Sequence, residues 1–214
     1  LQPKPKGTPP RWQMWTVPHS GTRYVRDSFV NAGYSITHGY AIRGNRDLLS
    51  AHFGHLFEST YPMYSEWYPG LSAFVVTRDP LAVLGTHWQR LGDGETPPPP
   101  PLSNDLGKFA QIQNGFIAEN NPHIHKVEDP IERLGEWAGI DLRPGSDRHS
   151  DRRRGDHRRI GRNVIREAIQ ARDADAICSL ISVECWDWFT TSYSALIAPL
   201  YRDRLGYDFW WYDE

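Results

Sequence analysis

The chain has 214 residues, 39% of them hydrophobic and 13% aromatic, including nine Trp. Such a composition buries enough apolar surface to offset the entropy of ordering, which excludes a disordered chain, and the length suits one α/β domain over residues 1–214. A formal net charge of −2 excludes a surface built as a whole for polyanions, so any anion site must be local.

Leu1–Pro10 carries Lys and four Pro with no apolar stretch, which predicts a flexible N-terminal segment and not a signal peptide. No later run approaches the roughly 18 apolar residues of a membrane span, so the expected location is cytoplasmic, with no membrane partner. Trp12–Val17 predicts a short buried strand, broken at Pro18–His19–Ser20–Gly21–Thr22. Tyr24, Val25, Phe29 and Val30 then form a partial helical stripe over Thr22–Ala32, with Gly33 placed as a C′ glycine. Tyr34–Thr37 and Leu48–Phe53 are further candidate strands. Leu71–Thr77 is a continuous apolar run, as a strand covered on both faces requires. Asp79 and Pro80 follow it as N-cap and first residue of a helix to about Arg90.

The five prolines of Pro97–Pro101 predict an extended connector, or a docking peptide for an SH3-type partner. Leu106–Asn120 and Pro130–Ala138 predict helices on either side of a short strand at His123–Val127. Arg143–Arg162 is Arg-rich and predicts a loop, Asn163–Gly206 is mostly helical, and the aromatic end Tyr207–Tyr212 should pack back on the domain. Cys178 and Cys185, seven residues apart in one expected helix, would stand about 10 Å apart along it, too far for a disulfide. Alternating strands and helices imply an α/β fold with a central parallel sheet flanked by helices, and a helical C-terminal portion.

Two segments carry chemistry. A turn between a strand and a helix directs backbone N–H groups at the positive end of the helix, and in Pro18–Arg23 the Gly21 backbone admits close approach while Ser20 and Thr22 add hydroxyls. The residues alone allow two readings, a phosphate or sulfate cradle and a plain capped turn. A Walker A motif is absent, because no Lys follows Gly21. The second segment is Val75–Pro80, with Thr86 eight residues after Arg78. An Arg at the end of a buried strand faces the crevice where α/β sheets bind ligands and holds phosphate bidentately, or else pairs with a nearby acid. A metal site from His38, His52 and His55 has only a weak i, i+3 pair and no H-E-x-x-H or Cys ligand set, so no metal is expected.

A P-x-[ST]-G-T loop after the first strand, with a strand–R-[DN]-P segment and a hydroxyl residue eight on, resembles the paired signature of the PAPS-dependent sulfotransferases, where PAPS is 3′-phosphoadenosine 5′-phosphosulfate. Here Gly21 and Arg78 are 57 residues apart (78 − 21). Leu49–Gly54, Ile124–Asp129 with the helix to Ile140, and the ending Leu200–Trp211 resemble further family segments in the same order. The resemblance implies a P-loop-like three-layer sandwich and sulfuryl transfer from PAPS, with PAP (adenosine 3′,5′-bisphosphate) as product, to a hydroxyl or amine on a small molecule or glycan. It implies that His19, Ser20, Gly21, Thr22 and Arg23 hold the 5′-phosphosulfate and that Arg78 and Thr86 hold the 3′-phosphate. It further implies that Arg154 and Gly155 close over the donor, that His19 stands where the family often has a Lys that assists the leaving group, and that His52 is the base. The SGTR form also resembles a branch that uses a carboxylate base. The rivals are a P-loop-type kinase and a non-catalytic anion- or RNA-binding module; the Arg-rich run lacks the aromatics that stack bases, so nucleic acid is not the expected partner. Acceptor loops are expected around Tyr61–Tyr68 and Pro97–Gly115.

Overall fold

The computed structural model of the chain describes residues 9–38, 46–54, 57–91, 101–145 and 167–212. The chain divides into two compact units, one of Leu1–Arg78 with Phe116–Ser150, the other of Asp79–Gly115 with Asp151–Glu214.

The first unit holds the sheet. Its strands are β1 (Trp12–Thr16), β2 (Ile36–His38), β3 (Leu48–His52), β4 (Ser72–Thr77) and β5 (His123–Lys126), all parallel in the order β2-β3-β1-β4-β5. The central strand β1 is buried along its whole length, Trp12–Thr16. Paired residues of parallel strands share a face, so Trp12 and Met14 line up with Leu48 of β3 and with Phe74 and Val76 of β4. Onto that face pack Val25 and Phe29 of α1 (Thr22–Asn31) and Ile131 and Leu134 of α5 (Ile131–Ala138). Trp15 points the other way, its ring against Tyr61 and Tyr64 of α2 (Phe57–Trp67) and against Phe116 in the last turns of α4 (Pro101–Asn120), with centroids 5.7, 6.1 and 6.4 Å away. The α/β expectation, with helices on both sides of a parallel sheet, is met.

The second unit contains α3 (Pro80–Leu91), the first part of α4, and a helical series: α6 (Ala174–Ile181), α7 (Val183–Trp188), a π-helical turn (Phe189–Tyr193) and α8 (Ser194–Tyr201). Asp79 caps α3, its Oδ1 accepting from the Ala82 N–H at 2.8 Å. The chain end packs back as its aromatics required: Trp211 donates its indole N–H to Ser194 Oγ at 2.9 Å and stacks on Phe209.

Three expectations are corrected. The segment Tyr61–Trp67 is helical, not an acceptor loop, despite Pro62 within it; Thr60, Tyr64 and Trp67 are its buried stripe. The helix expected from Leu106 starts at Pro101, since proline is tolerated in a first helical turn, so the region up to Gly115 is no loop either beyond that point; 97–100 lie outside the described residues. Cys178 and Cys185 do not share a helix: Ser182, at φ 82°, breaks the run and then accepts from the Cys185 N–H as the cap of α7, and both thiols are free.

Phe29 is fully buried between Trp12, Tyr34 and Phe74, with centroids 5.5, 6.2 and 6.1 Å away. Phe29→Ala should lower the unfolding free energy by about 3–5 kcal/mol in urea denaturation; a loss below about 1 kcal/mol would mean that the α1 face is not a close-packed core.

Candidate functional site

Strand order places the site. From β1 the chain passes over β3 to reach β2, whereas from β4 it goes to the other edge and β5. The connections diverge between the C-terminal ends of β1 and β4, and such a switch point opens a crevice in α/β sheets. The β1–α1 turn and Arg78 stand at those two ends.

In the turn, Ser20 N–H donates to the Val17 carbonyl at 3.2 Å. His19 (φ 72°) and Gly21 (φ 82°) are both left-handed, on either side of Ser20. A β-carbon on Gly21 would lie 2.3 Å from Val127 Cγ2, so the site needs glycine for backbone conformation and for space alike. Gly21 is the residue before α1 and supplies no side-chain cap, which leaves the first N–H groups of the helix for other acceptors. The Ser20 hydroxyl is buried with no hydrogen-bond partner, a defect that native interiors seldom retain without a role. Arg78, one residue past β4, reaches back to the turn and donates from Nη1 to the His19 carbonyl at 3.3 Å. Sequence reasoning put Ser20, Gly21 and Arg78 in one cluster, and they lie together.

Thr22 is placed differently from the expected open hydroxyl. Its Oγ1 is 2.8 Å from Thr16 Oγ1, which is 2.7 Å from His52 Nδ1. The last residue of β1 therefore links the base candidate on β3 to the first residue of α1. His52 stands edge-on to His38 of β2, with centroids 4.9 Å apart, and His38 Nδ1 is 2.9 Å from Ser50 Oγ. Burial lowers the His38 pKa, and the positive fields of Arg26 and Arg23 lower it further. Arg26 Nε is itself buried without a partner. Thr16 and Arg26 were missed by the motif reading. Their signals were Arg at positions 23 and 26, three apart and so on one side of a helix, and a polar residue ending an apolar strand.

Arg23 is exposed on the first turn of α1. Thr86 belongs to the other unit and donates to the Ala82 carbonyl one turn back, at 2.9 Å. Arg154, Gly155 and the Arg-rich run through Arg162 lie outside the described residues, as does His55. Among the described residues no three His, Cys, Asp or Glu side chains gather as a metal site would require, and no helix is long and apolar enough to cross a membrane.

No protein-family model matches the chain, and no curated protein sequence does. Among solved structures it is similar to mouse sulfotransferase SULT7A1 complexed with PAP, with a TM-score of 0.42 and 10% identity over 94% of this chain and 87% of that one. Values this small carry no residue role from that protein to this chain.

A third histidine near this edge sets an acid limit. His125 of β5 is 2% exposed, its Nε2 has no partner, and burial pushes its pKa down from 6.5 to about 4, with Asp129 opposing and His123 adding to the shift. The unfolded chain takes up this proton first, so stability is full above the unfolded value and is lost as pH falls from 6.5 to about 4. The loss from His125 should approach about 3 kcal/mol, and lowered values at His38 and His123 act in the same direction. Urea midpoints between neutrality and mild acid should show it, with a shallower slope in His125→Gln; an unchanged slope would place the acid sensitivity elsewhere.

Proposed function

We propose that the chain is a PAPS-dependent sulfotransferase, with the donor held at the β1–α1 turn. One observation carries the reading: the Arg78 guanidinium reaches a turn whose Ser20 hydroxyl is buried and unpartnered. A phosphosulfate supplies acceptor oxygens for that hydroxyl and for the first N–H groups of α1, and the donor's 3′-phosphate supplies them for the guanidinium. These donors suit an anion.

In the reaction the acceptor hydroxyl or amine attacks sulfur, the bond from sulfur to the bridging phosphate oxygen breaks, and the acceptor proton passes to His52. The developing charge on the departing bisphosphate falls to the turn N–H groups, Arg23 and His19. The hydrogen-bond chain favours these roles in a specific way. For Nε2 of His52 to accept a proton, Nδ1 must carry one and donate it to Thr16 Oγ1. Thr16 then donates to Thr22 Oγ1, and the Thr22 O–H is left over for the donor's oxygens. The base-competent tautomer of His52 is thus also the arrangement that turns a hydroxyl proton toward the anion. The opposite tautomer uses both hydroxyl protons inside the chain and leaves His52 a donor at Nε2. For Thr86, Arg154 and Gly155 the assignment rests on the family resemblance alone, as does the expectation of a small-molecule or glycan acceptor.

The test is a thermal-shift comparison of PAP, AMP and magnesium-ATP. PAP at 100 times its Kd should add about 2.7 kcal/mol of stability, with smaller shifts from the others. A larger shift from magnesium-ATP would favour the kinase reading. Arg78→Ala should weaken PAP by about 10- to 100-fold, the value of a charge-assisted hydrogen bond, and leave adenosine 5′-phosphosulfate, which lacks the 3′-phosphate, much less affected. His52→Ala should lower kcat by about 10²–10⁴ with PAP affinity retained; near-normal turnover in that variant would remove His52 as the base.

A further inference from the structure

A second concave site lies at the opposite end of the sheet, in the same compact unit. It is a cavity of about 420 Å³, within the size range of small-molecule pockets. Its walls come from places where the parallel strands begin: Gln13 near the start of β1, Ser72 and Ala73 opening β4, and His123 opening β5. The reaction above uses none of these residues.

The chemistry of the walls narrows the ligand. No Asp, Glu, Lys or Arg is among the described lining residues. Aromatic surface comes from two directions, Tyr61 and Tyr68 from α2 and its following turn, and Trp137 of α5, whose ring is stacked on His123 at 4.7 Å and 13°. Aromatic faces are electron-rich and attract C–H bonds that carry partial positive charge. The polar groups are neutral. Gln13 is 5% exposed, and its Oε1 accepts from the Trp15 indole at 3.1 Å. The side chain lines the cavity, and its amide N–H₂ is a donor group there. A side chain so deeply buried, with its oxygen fixed by Trp15, is a built feature of the wall. Asn121 at φ 42° and Tyr68 add neutral donors and acceptors at the rim. Burial lowers the His123 pKa, so its ring is uncharged at neutral pH and offers one donor and one acceptor.

We infer that this cavity binds a neutral saccharide, a ligand with hydroxyls for Gln13, Asn121 and Tyr68 and an apolar ring face for the aromatic walls. An ionised ligand would lose its hydration with no counter-charge in the wall to replace it. A sugar hydroxyl is donor and acceptor at once, so it can accept from the Gln13 amide and can meet Tyr68 or Asn121, which offer both. The inference is independent of sulfuryl transfer, since the two sites share no residue.

The probe is a series of uncharged methyl glycosides, set against glucuronic acid and adenosine, titrated into the isotope-labelled full chain and followed by NMR. At least one glycoside should bind saturably, with Kd on the order of 1 mM, shifting the Gln13 side-chain amide and the Trp137 indole signals. Tyr68→Phe and Asn121→Gly should each weaken it by about 3- to 10-fold at unchanged Tm and unchanged PAP affinity. Glycine suits the second position because it accepts the positive φ. Glycoside-induced shifts confined to other residues, or no saturable shift from any glycoside, would overturn the inference. So would glucuronic acid binding more tightly than its neutral counterpart, or adenosine saturating these signals where the glycosides do not.

Discussion

Thr16 ends the central strand with a fully buried hydroxyl, and that hydroxyl joins three elements: its own strand, β3 through His52, and α1 through Thr22. A hydroxyl has one proton and two lone pairs, so it can serve both neighbours and pass a change in protonation from one to the other. An apolar side chain of the same shape would hold the packing and strand both partners. A few residues on, Val127 closes on Gly21 so tightly that no other residue fits there without displacement. The turn is thus fixed from below by a hydrogen bond and from the side by van der Waals contact. His19 is held there in a left-handed conformation that a residue with a β-carbon seldom adopts.

The two ends of the sheet have opposite characters. The C-terminal end gathers Arg23, Arg26 and Arg78 around backbone donors, and its histidines are buried or flanked by cations. At the N-terminal end the cavity is lined by uncharged and aromatic residues, Gln13 among them. The parallel arrangement produces this polarity directly, because every strand presents its carbonyl end to one side and the turns that follow the strands are free to vary there. The strand starts are held by short connections, as at Asp47, whose carbonyl accepts from both Arg11 and Trp12 N–H at 2.9 and 3.2 Å.

The strands were legible because a strand covered on both faces must be apolar throughout, and β1 and β4 state this in plain runs, WQMWT and SAFVVT. Gly21 and Arg78 were legible because each follows such a run and has a chemical reason for its place. Helix α2 was not, since the resemblance suggested an acceptor loop there and the partner that makes Tyr61 and Tyr64 core, Trp15, is far away in sequence. The start of β2 was expected at Tyr34, but that residue is drawn into the end of α1, its N–H donating to the Phe29 carbonyl at 3.0 Å past the left-handed Gly33. Thr16 escaped because its role depends on a pairing register, Thr16 opposite His52, that no local pattern encodes.

The position of β5 in the chain bears on how the protein is made. β4 ends at Thr77 and its outer neighbour begins only at His123, so a ribosome must add the whole intervening stretch before the sheet can close. During that interval β4, the most apolar strand, has an open edge on a nascent chain, the kind of edge that recruits other strands. The partner that would cover it also brings Val127, which packs on Gly21. The turn would therefore be shaped late, after much of the chain had left the exit tunnel, and folding of the sheet should depend on this long-range pairing more than on the speed of any local element.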